Sequence, residues 1–66
     1  MPLITLHNLQ GAPKVVDTAD IELYFASRFG PYTRVNFKHA VMDVQEAPNV
    51  IERRIKDAIA AEQGKT

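Results

Sequence analysis

Cysteine is absent from this sequence of 66 residues, and so are net charge and any long apolar run. Without cysteine the chain has no disulfide, no zinc–thiolate site and no thiol nucleophile, and it suits a reducing compartment. No apolar run approaches the roughly 18–20 residues of a membrane-spanning helix, and the N-terminus lacks the charged and then apolar pattern of a signal peptide. We therefore expect a cytoplasmic protein without membrane insertion.

Residues that could carry catalysis or bind a metal are few. Ser27 is the only serine, and no G-x-S-x-G motif surrounds it to build an exposed nucleophile. His7 and His39 lie 32 positions apart, whereas zinc needs three or four converging nitrogen, oxygen or sulfur ligands. We expect no catalytic residue, no metal site, no cofactor and no enzymatic activity.

The composition that remains is that of a small globular domain. Apolar residues make up 45% of the chain and charged residues 24%. A chain of this length buries only about 60% of the surface that its unfolded form exposes. The sequence therefore predicts a single domain over residues 1–66.

Apolar and polar residues alternate with a period of two along much of the chain, which is typical of strands. On this ground the expected strands cover residues 3–9, 14–17, 32–37 and 40–45. Segment 17–31 is ambiguous, because Ile21, Phe25 and Phe29 would also share one face of a helix that stops at Gly30. The alternation of Ile21 and Leu23 with polar residues also fits a strand, but local patterns slightly favour the helix.

The C-terminal segment has a helical pattern. Ile51, Ile55 and Ile59 recur at a spacing of four, Pro48 suits a first helical turn, and Gly64 suits a stop. We expect a helix over residues 48–63 that packs on a sheet, since a helix of this length is only marginally stable alone in water.

Turns and apolar positions spread over nearly the whole chain carry a likeness to a known family. They are Leu9, Gly11, 17–21, Thr33, Val35, Phe37, Val44, Glu46, Val50, Ile51 and Ile55. In this order they resemble the small flagellar FlbD/SwrD-type proteins, which have about this length. The resemblance implies a strand at 21–27, no catalytic residues, and a motility-associated accessory role exercised through protein contacts. The basic residues of CsrA-type RNA-binding dimers are missing from the corresponding positions.

The expected fold is α+β, with a small antiparallel sheet of about five short strands and one C-terminal helix packed on one face. The expected core consists of the apolar residues that alternate inward and the isoleucines of the helix. These are Ile4, Leu6, Val15, Ile21, Leu23, Phe25, Val35, Phe37, Met42, Val44, Ile51, Ile55 and Ile59.

The middle of the chain is a basic island among aromatic residues. Residues 28–39 contain three basic side chains and no acidic one. If the hairpin exposes this set, it is a solvated surface, a protein-contact patch, or a stacking surface for single-stranded nucleic acid. The nucleic-acid alternative would use Arg28, Tyr32, Arg34 and Lys38, but a neutral chain lacks the general positive field that drives such binding.

We favour a non-enzymatic protein-interaction module that acts as a homo-oligomer, because the aromatic side chains are denser than one small core can hide. The expected partner-binding residues are Tyr24, Phe29, Tyr32 and Arg34. The sequence does not indicate which protein is the partner. The alternatives are a small RNA- or single-stranded-DNA-binding module and a phage-type inhibitor of a host protein.

Overall fold

The computed structural model describes residues 2–64, in which five antiparallel strands precede one helix. The strands are β1 (Leu3–His7), β2 (Pro13–Asp17), β3 (Ile21–Ala26), β4 (Thr33–Phe37) and β5 (Val41–Val44), and the helix is α1 (Pro48–Gln63). This confirms the predicted α+β class. Segment 17–31 adopts the strand alternative, preceded by a single 3₁₀ turn at Thr18–Asp20. No helix within residues 2–64 is long and apolar enough to cross a membrane.

The strands form two sheets instead of one. β1 pairs with β2, and β3, β4 and β5 form a second sheet in that order. The two sheets meet where Asn8 bridges Val44, and the backbone N–H of Gln45 donates to the carbonyl of His7 at 2.9 Å. The inner faces of both sheets therefore enclose a common space, which α1 covers.

A β-bulge in β3 decides which of its side chains point inward. Ile21 lies opposite Phe37 while Leu23 lies opposite Asn36, so Glu22 is an extra residue. An extra residue shifts the alternation by one position. The core positions predicted for Leu23 and Phe25 are therefore wrong, since these side chains are 54% and 42% exposed.

Tyr24 packs against the core in their place. It lies opposite Val35 of β4, whose side chain is fully buried. Directly opposed residues on neighbouring strands point to the same face of a sheet. Tyr24, which was predicted to contact a partner, is thus half-buried and lines the core.

Two further core predictions are wrong. Ile4 pairs with Val16, so Val16 packs inward and Val15 is 67% exposed. Ile59 is 38% exposed, whereas Ile51 and Ile55 of the same stripe pack on the sheets. The apolar stripe of α1 therefore extends beyond the part of the helix that packs against the strands, and Ile59 lies in that extension.

The core sits between the inner faces of the two sheets and the first half of α1. Its fully enclosed members are Ile4, Leu6, Val35, Val44 and Ile51. Around them pack the partly buried residues Val16, Ile21, Tyr24, Phe37, Met42, Ile55 and Ala58. The outer face of the three-stranded sheet receives no cover from the helix.

The start of α1 lacks a side-chain cap. Ala47 is the N-cap residue, with extended backbone angles, and Pro48 follows it in the first turn. A serine hydroxyl at this position could accept a hydrogen bond from a backbone N–H of the first turn.

Replacing Ala47 with Ser is therefore expected to raise the free energy of unfolding by about 1 kcal/mol. For a domain of this size that corresponds to a rise in Tm of roughly 4–8 °C, measurable by circular dichroism. Ala60→Ser, on an exposed position inside the same helix, is the control and should lower Tm slightly because serine is a poorer helix former. A Tm for Ala47→Ser no higher than that of the parent chain would contradict the assignment of residue 47 as the N-cap of α1.

Candidate interaction surface

The side of the three-stranded sheet that faces away from the core is a defined surface, which we call the outer face. Strand pairing places Leu23, Asn36 and Val41 in one row across the three strands. A second row contains Phe25, Arg34 and Asp43. Opposed residues share a face, so these two rows form one continuous surface.

Three apolar side chains dominate the outer face. Leu23 is 54% exposed, Phe25 42% and Val41 60%. Scattered single apolar residues are ordinary on protein surfaces, but a contiguous group is typical of a contact surface. On the outer face, Leu23 and Phe25 are neighbours on β3, whereas Val41 lies on β5, beyond the polar residues of β4.

An ion pair lies in the second row of this face. The Nε of Arg34 donates to Oδ1 of Asp43 at 3.0 Å. The hydrogen bond and the negative charge of Asp43 together raise the pKa of Arg34. The second row of the face thus carries a paired cation and anion.

A second exposed feature is the loop between β3 and β4, residues 27–32, which we call the Phe29 loop. The backbone N–H of Ser27 donates to the carbonyl of Tyr32 at 2.9 Å, and the N–H of Phe29 donates to Oγ of Ser27 at 3.0 Å. Gly30 lies so close to the Tyr32 ring that a Cβ there would be 2.8 Å from it. The first of these hydrogen bonds joins the two ends of the loop, and the Phe29 side chain is 85% exposed.

The structure keeps two of the residues predicted as sites together and places the others apart. Tyr32 lies close enough to Arg34 for the electrostatic interaction between them to contribute to the raised pKa of Arg34. Phe29 and Tyr32 lie in the Phe29 loop, and Arg34 lies on the outer face. Arg28 and Lys38, proposed as joint nucleic-acid contacts, lie at opposite ends of β4. Of the four nucleic-acid candidates, Tyr32 and Arg34 are therefore neighbours, whereas Arg28 and Lys38 lie apart from each other.

A groove of about 480 Å³ opens between β2 and the β4–β5 turn. Its apolar floor and walls are formed by Val15, Val16, Phe37, Val41 and Met42. Charged residues of both signs stand around its rim: Lys14, Asp17, Asp20 and Lys38. The groove is therefore an apolar concavity with a balanced rim.

Sequence reasoning missed a buried carboxylate, Glu46, which is only 9% exposed. Its Oε1 accepts the backbone N–H of His7 at 2.9 Å, and its Oε2 lies 2.7 Å from Nδ1 of the same histidine. Oε2 also accepts from Nη1 of Arg54 at 2.7 Å. The same guanidinium nitrogen donates to the carbonyl of Thr5 at 2.8 Å, so the cluster joins β1, the β5–α1 connection and α1.

The charge of Glu46 is stabilised by these donors. Burial by itself would raise the pKa of this carboxyl, but the hydrogen bonds from His7 and Arg54 outweigh it and lower the pKa to about 2. A carboxylate that holds its charge this strongly is a poor proton acceptor near neutral pH. We interpret the cluster as a structural clamp, here called the Glu46 clamp.

Position in the sequence could not have indicated the Glu46 clamp. Glu46 and His7 are 39 residues apart, and no short motif connects them. The pairing depends on the tertiary placement of β1 next to the start of α1.

Acidic and histidine side chains do not converge elsewhere in a way that would hold a metal ion. Within residues 2–64 no group of three or more histidine or acidic residues has that arrangement. Nor does this chain match any protein-family model, curated protein or solved structure in the comparisons with known proteins.

Proposed function

We propose that this chain is a non-enzymatic protein-interaction module that acts as a homo-oligomer, with the outer face as a contact between copies. The observation that carries the proposal is the exposure of Leu23, Phe25 and Val41 on one sheet face. The resemblance to FlbD/SwrD-type proteins adds a motility-associated accessory role to the proposal.

A second copy of the chain is a suitable occupant of the outer face for three reasons. The Arg34–Asp43 pair on the face consists of a cation and an anion, so two copies related by a two-fold axis can oppose unlike charges. The chain has no net charge, so copies do not repel one another. A domain this small also gains stability when it buries apolar surface between copies.

Nucleic-acid binding is less well supported. Arg34 is already paired with Asp43, and Arg28 and Lys38 lie at opposite ends of β4. Binding to phosphates depends on several unpaired basic groups along one track. The basic island of the sequence is therefore dispersed in the fold.

The proposal is tested by light scattering coupled to size-exclusion chromatography over a range of concentrations. The parent chain is expected to exceed the monomer mass of 7.4 kDa. Leu23→Glu should lower the average mass at every concentration, because it places a charge in the outer face. Leu3→Glu is a matched control, since Leu3 is equally exposed at 54% but lies on β1.

Three outcomes would contradict the proposal. The first is a monomer mass for the parent chain at all concentrations. The second is an equal effect of the Leu23 and Leu3 substitutions. The third is a gel shift with single-stranded RNA at low salt that falls steeply with added salt and is lost in Arg28→Ala/Lys38→Ala. The motility role is tested separately by deleting the gene and measuring swimming after complementation with the parent chain or Leu23→Glu.

A further inference from the structure

We infer that two copies of this chain join through the free edges of their β3 strands, which pair antiparallel about a two-fold axis at Phe25. The inference rests on the proposed self-association and deepens it, because it names the segment and the register that the two copies use. The contact is made by the backbone edge of β3, whereas the proposed function concerns the side chains of the outer face.

One edge of β3 has no strand beside it. β3 is the end strand of the three-stranded sheet, and within residues 2–64 it pairs with β4 alone. At the end of that ladder the backbone N–H of Ser27 donates to the carbonyl of Tyr32. Antiparallel strands exchange hydrogen bonds at every second residue, so Phe25 exchanges them with β4. The N–H and C=O groups of Tyr24 and Ala26 therefore point to the free edge.

The free edge of β3 has little protection against pairing. Natural edge strands are commonly kept apart by charged side chains, by proline or by a bulge. In β3 the bulge lies at Glu22, and residues 23–27 contain neither a charge nor a proline. The end strand of the other sheet, β2, begins with Pro13 and carries Lys14 and Asp17. Of these two edges, that of β3 is therefore better suited to accept a further strand.

The backbone groups on this edge are complementary to those of a second copy. When the Phe25 residues of two copies oppose each other at the two-fold axis, Tyr24 of each copy lies opposite Ala26 of the other. These two residues then exchange hydrogen bonds, so each of their N–H and C=O groups finds a partner. The Phe25 side chains, each 42% exposed, meet as an aromatic pair on the outer face.

Charge favours a second copy in this same register. Glu22 and Arg28 are exposed and stand three residues before and three residues after Phe25. Antiparallel pairing about Phe25 therefore brings Glu22 of each copy to the end at which the other copy carries Arg28. Within residues 2–64, neither side chain has an ion-pair partner in its own chain. A parallel pairing in register would instead place like charges side by side, which is destabilising.

The role of the backbone is tested with Ala26→Pro. Proline removes the N–H of residue 26, and an edge strand tolerates proline where that N–H points away from the neighbouring strand. The variant keeps Leu23 and Phe25, so the outer face is unchanged. We expect it to halve the average mass found by light scattering. Val15→Pro is the matched control, because the N–H of Val15 points to the free edge of β2, and it should leave the mass unchanged.

The register is tested by exchanging charges. Glu22→Arg and Arg28→Glu each turn both end contacts of the dimer from attraction into repulsion, so either variant alone should dimerise about tenfold more weakly at low salt. An equimolar mixture should recover the mass of the parent chain, because both contacts of a mixed dimer again join unlike charges. Asp57→Arg and Arg53→Glu, on exposed positions of α1, change the net charge equally and should dimerise like the parent chain, alone or mixed.

The results separate this inference from the proposed function. If the parent chain associates and folded Ala26→Pro keeps the same mass, the strand pairing is overturned and the homo-oligomer stands. A mixture of the two β3 charge variants that associates no better than either alone also overturns the pairing. A parent chain that is monomeric at all concentrations overturns both proposals and leaves the β3 edge open to a strand of another protein.

Urea unfolding verifies that each variant is folded. If Ala26→Pro is unfolded, methylation of the backbone nitrogen of Ala26 in a chemically synthesised chain takes its place, because it removes the same donor without a proline ring. The same mass outcomes then support or overturn the pairing.

Discussion

Replacing Glu46 with Gln is expected to lower the free energy of unfolding by about 3 kcal/mol near pH 7. The hydrogen bonds from His7 and Arg54 lower the pKa of Glu46 from an ordinary 4.5 to about 2. Each unit of difference between folded and unfolded pKa corresponds to about 1.4 kcal/mol. Glutamine preserves the shape of the side chain but removes the charge that these donors stabilise.

The same residue makes stability depend on pH in a defined window. Because the pKa of Glu46 is lower in the folded chain than in the unfolded one, its contribution is fully present above about pH 4.5. The contribution is lost progressively as the pH falls from 4.5 to about 2, where the folded chain also takes up the proton. The difference in stability between the parent chain and Glu46→Gln should therefore shrink towards zero over this interval.

Urea unfolding at a series of pH values between 7 and 2 measures this difference directly. Glu52→Gln is the matched control, because Glu52 forms an exposed helical pair with Lys56 at 3.4 Å. Such pairs contribute only about 0.3–0.5 kcal/mol. A difference between parent and Glu46→Gln that stays constant down to pH 2 would show that the Glu46 clamp does not act through its charge.

Replacing Leu6 with Ala is expected to cost about 3 kcal/mol, within the 2–5 kcal/mol range observed for buried leucines. Leu6 is completely buried between the two sheets and α1. Domains of this size have a total stability of roughly 3–10 kcal/mol. The substitution is therefore expected to leave a substantial fraction of the molecules unfolded at 37 °C.

The control for Leu6→Ala is the same substitution at Leu3, on the same strand. Leu3 is 54% exposed, so its truncation removes little buried surface and should cost less than about 1 kcal/mol. Both values are measured by urea unfolding at 25 °C. Equal losses at the two positions would contradict the position of the core between the sheets.

Local patterns predicted the flanking strands and the C-terminal helix, but in segment 17–31 they slightly favoured a helix, and the strand found there was implied by the resemblance. Local patterns also failed where residues far apart determine which side of a strand faces the core. The alternation of Thr33, Val35 and Phe37 identified the inward side of β4, because that strand is regular. In β3 the alternation wrongly predicted that Leu23 and Phe25 face the core. The extra residue Glu22 becomes visible only when β3 is aligned with β4.

The candidate surface was predicted only in part, for the same reason. Phe29 was expected to contact a partner and is highly exposed, but Leu23 and Phe25 were expected inside the core. The hydrophobicity of Leu23 and Phe25 is compatible with the core and with an exposed contact surface. Only the register of the strand decides which of the two places they occupy. Glu46 was among the residues that carry the resemblance to FlbD/SwrD-type proteins. Its role in the Glu46 clamp depends on where Arg54 lies in the fold.

The reach of the Glu46 clamp along the chain has a consequence for biosynthesis. Thr5 and Arg54 are separated by 49 residues, and both take part in the same cluster. A ribosome therefore has to add 49 residues after Thr5 before the first strand can meet all the groups that hold it. Until Arg54 has been synthesised, the nascent N-terminal hairpin lacks this hydrogen-bonded support.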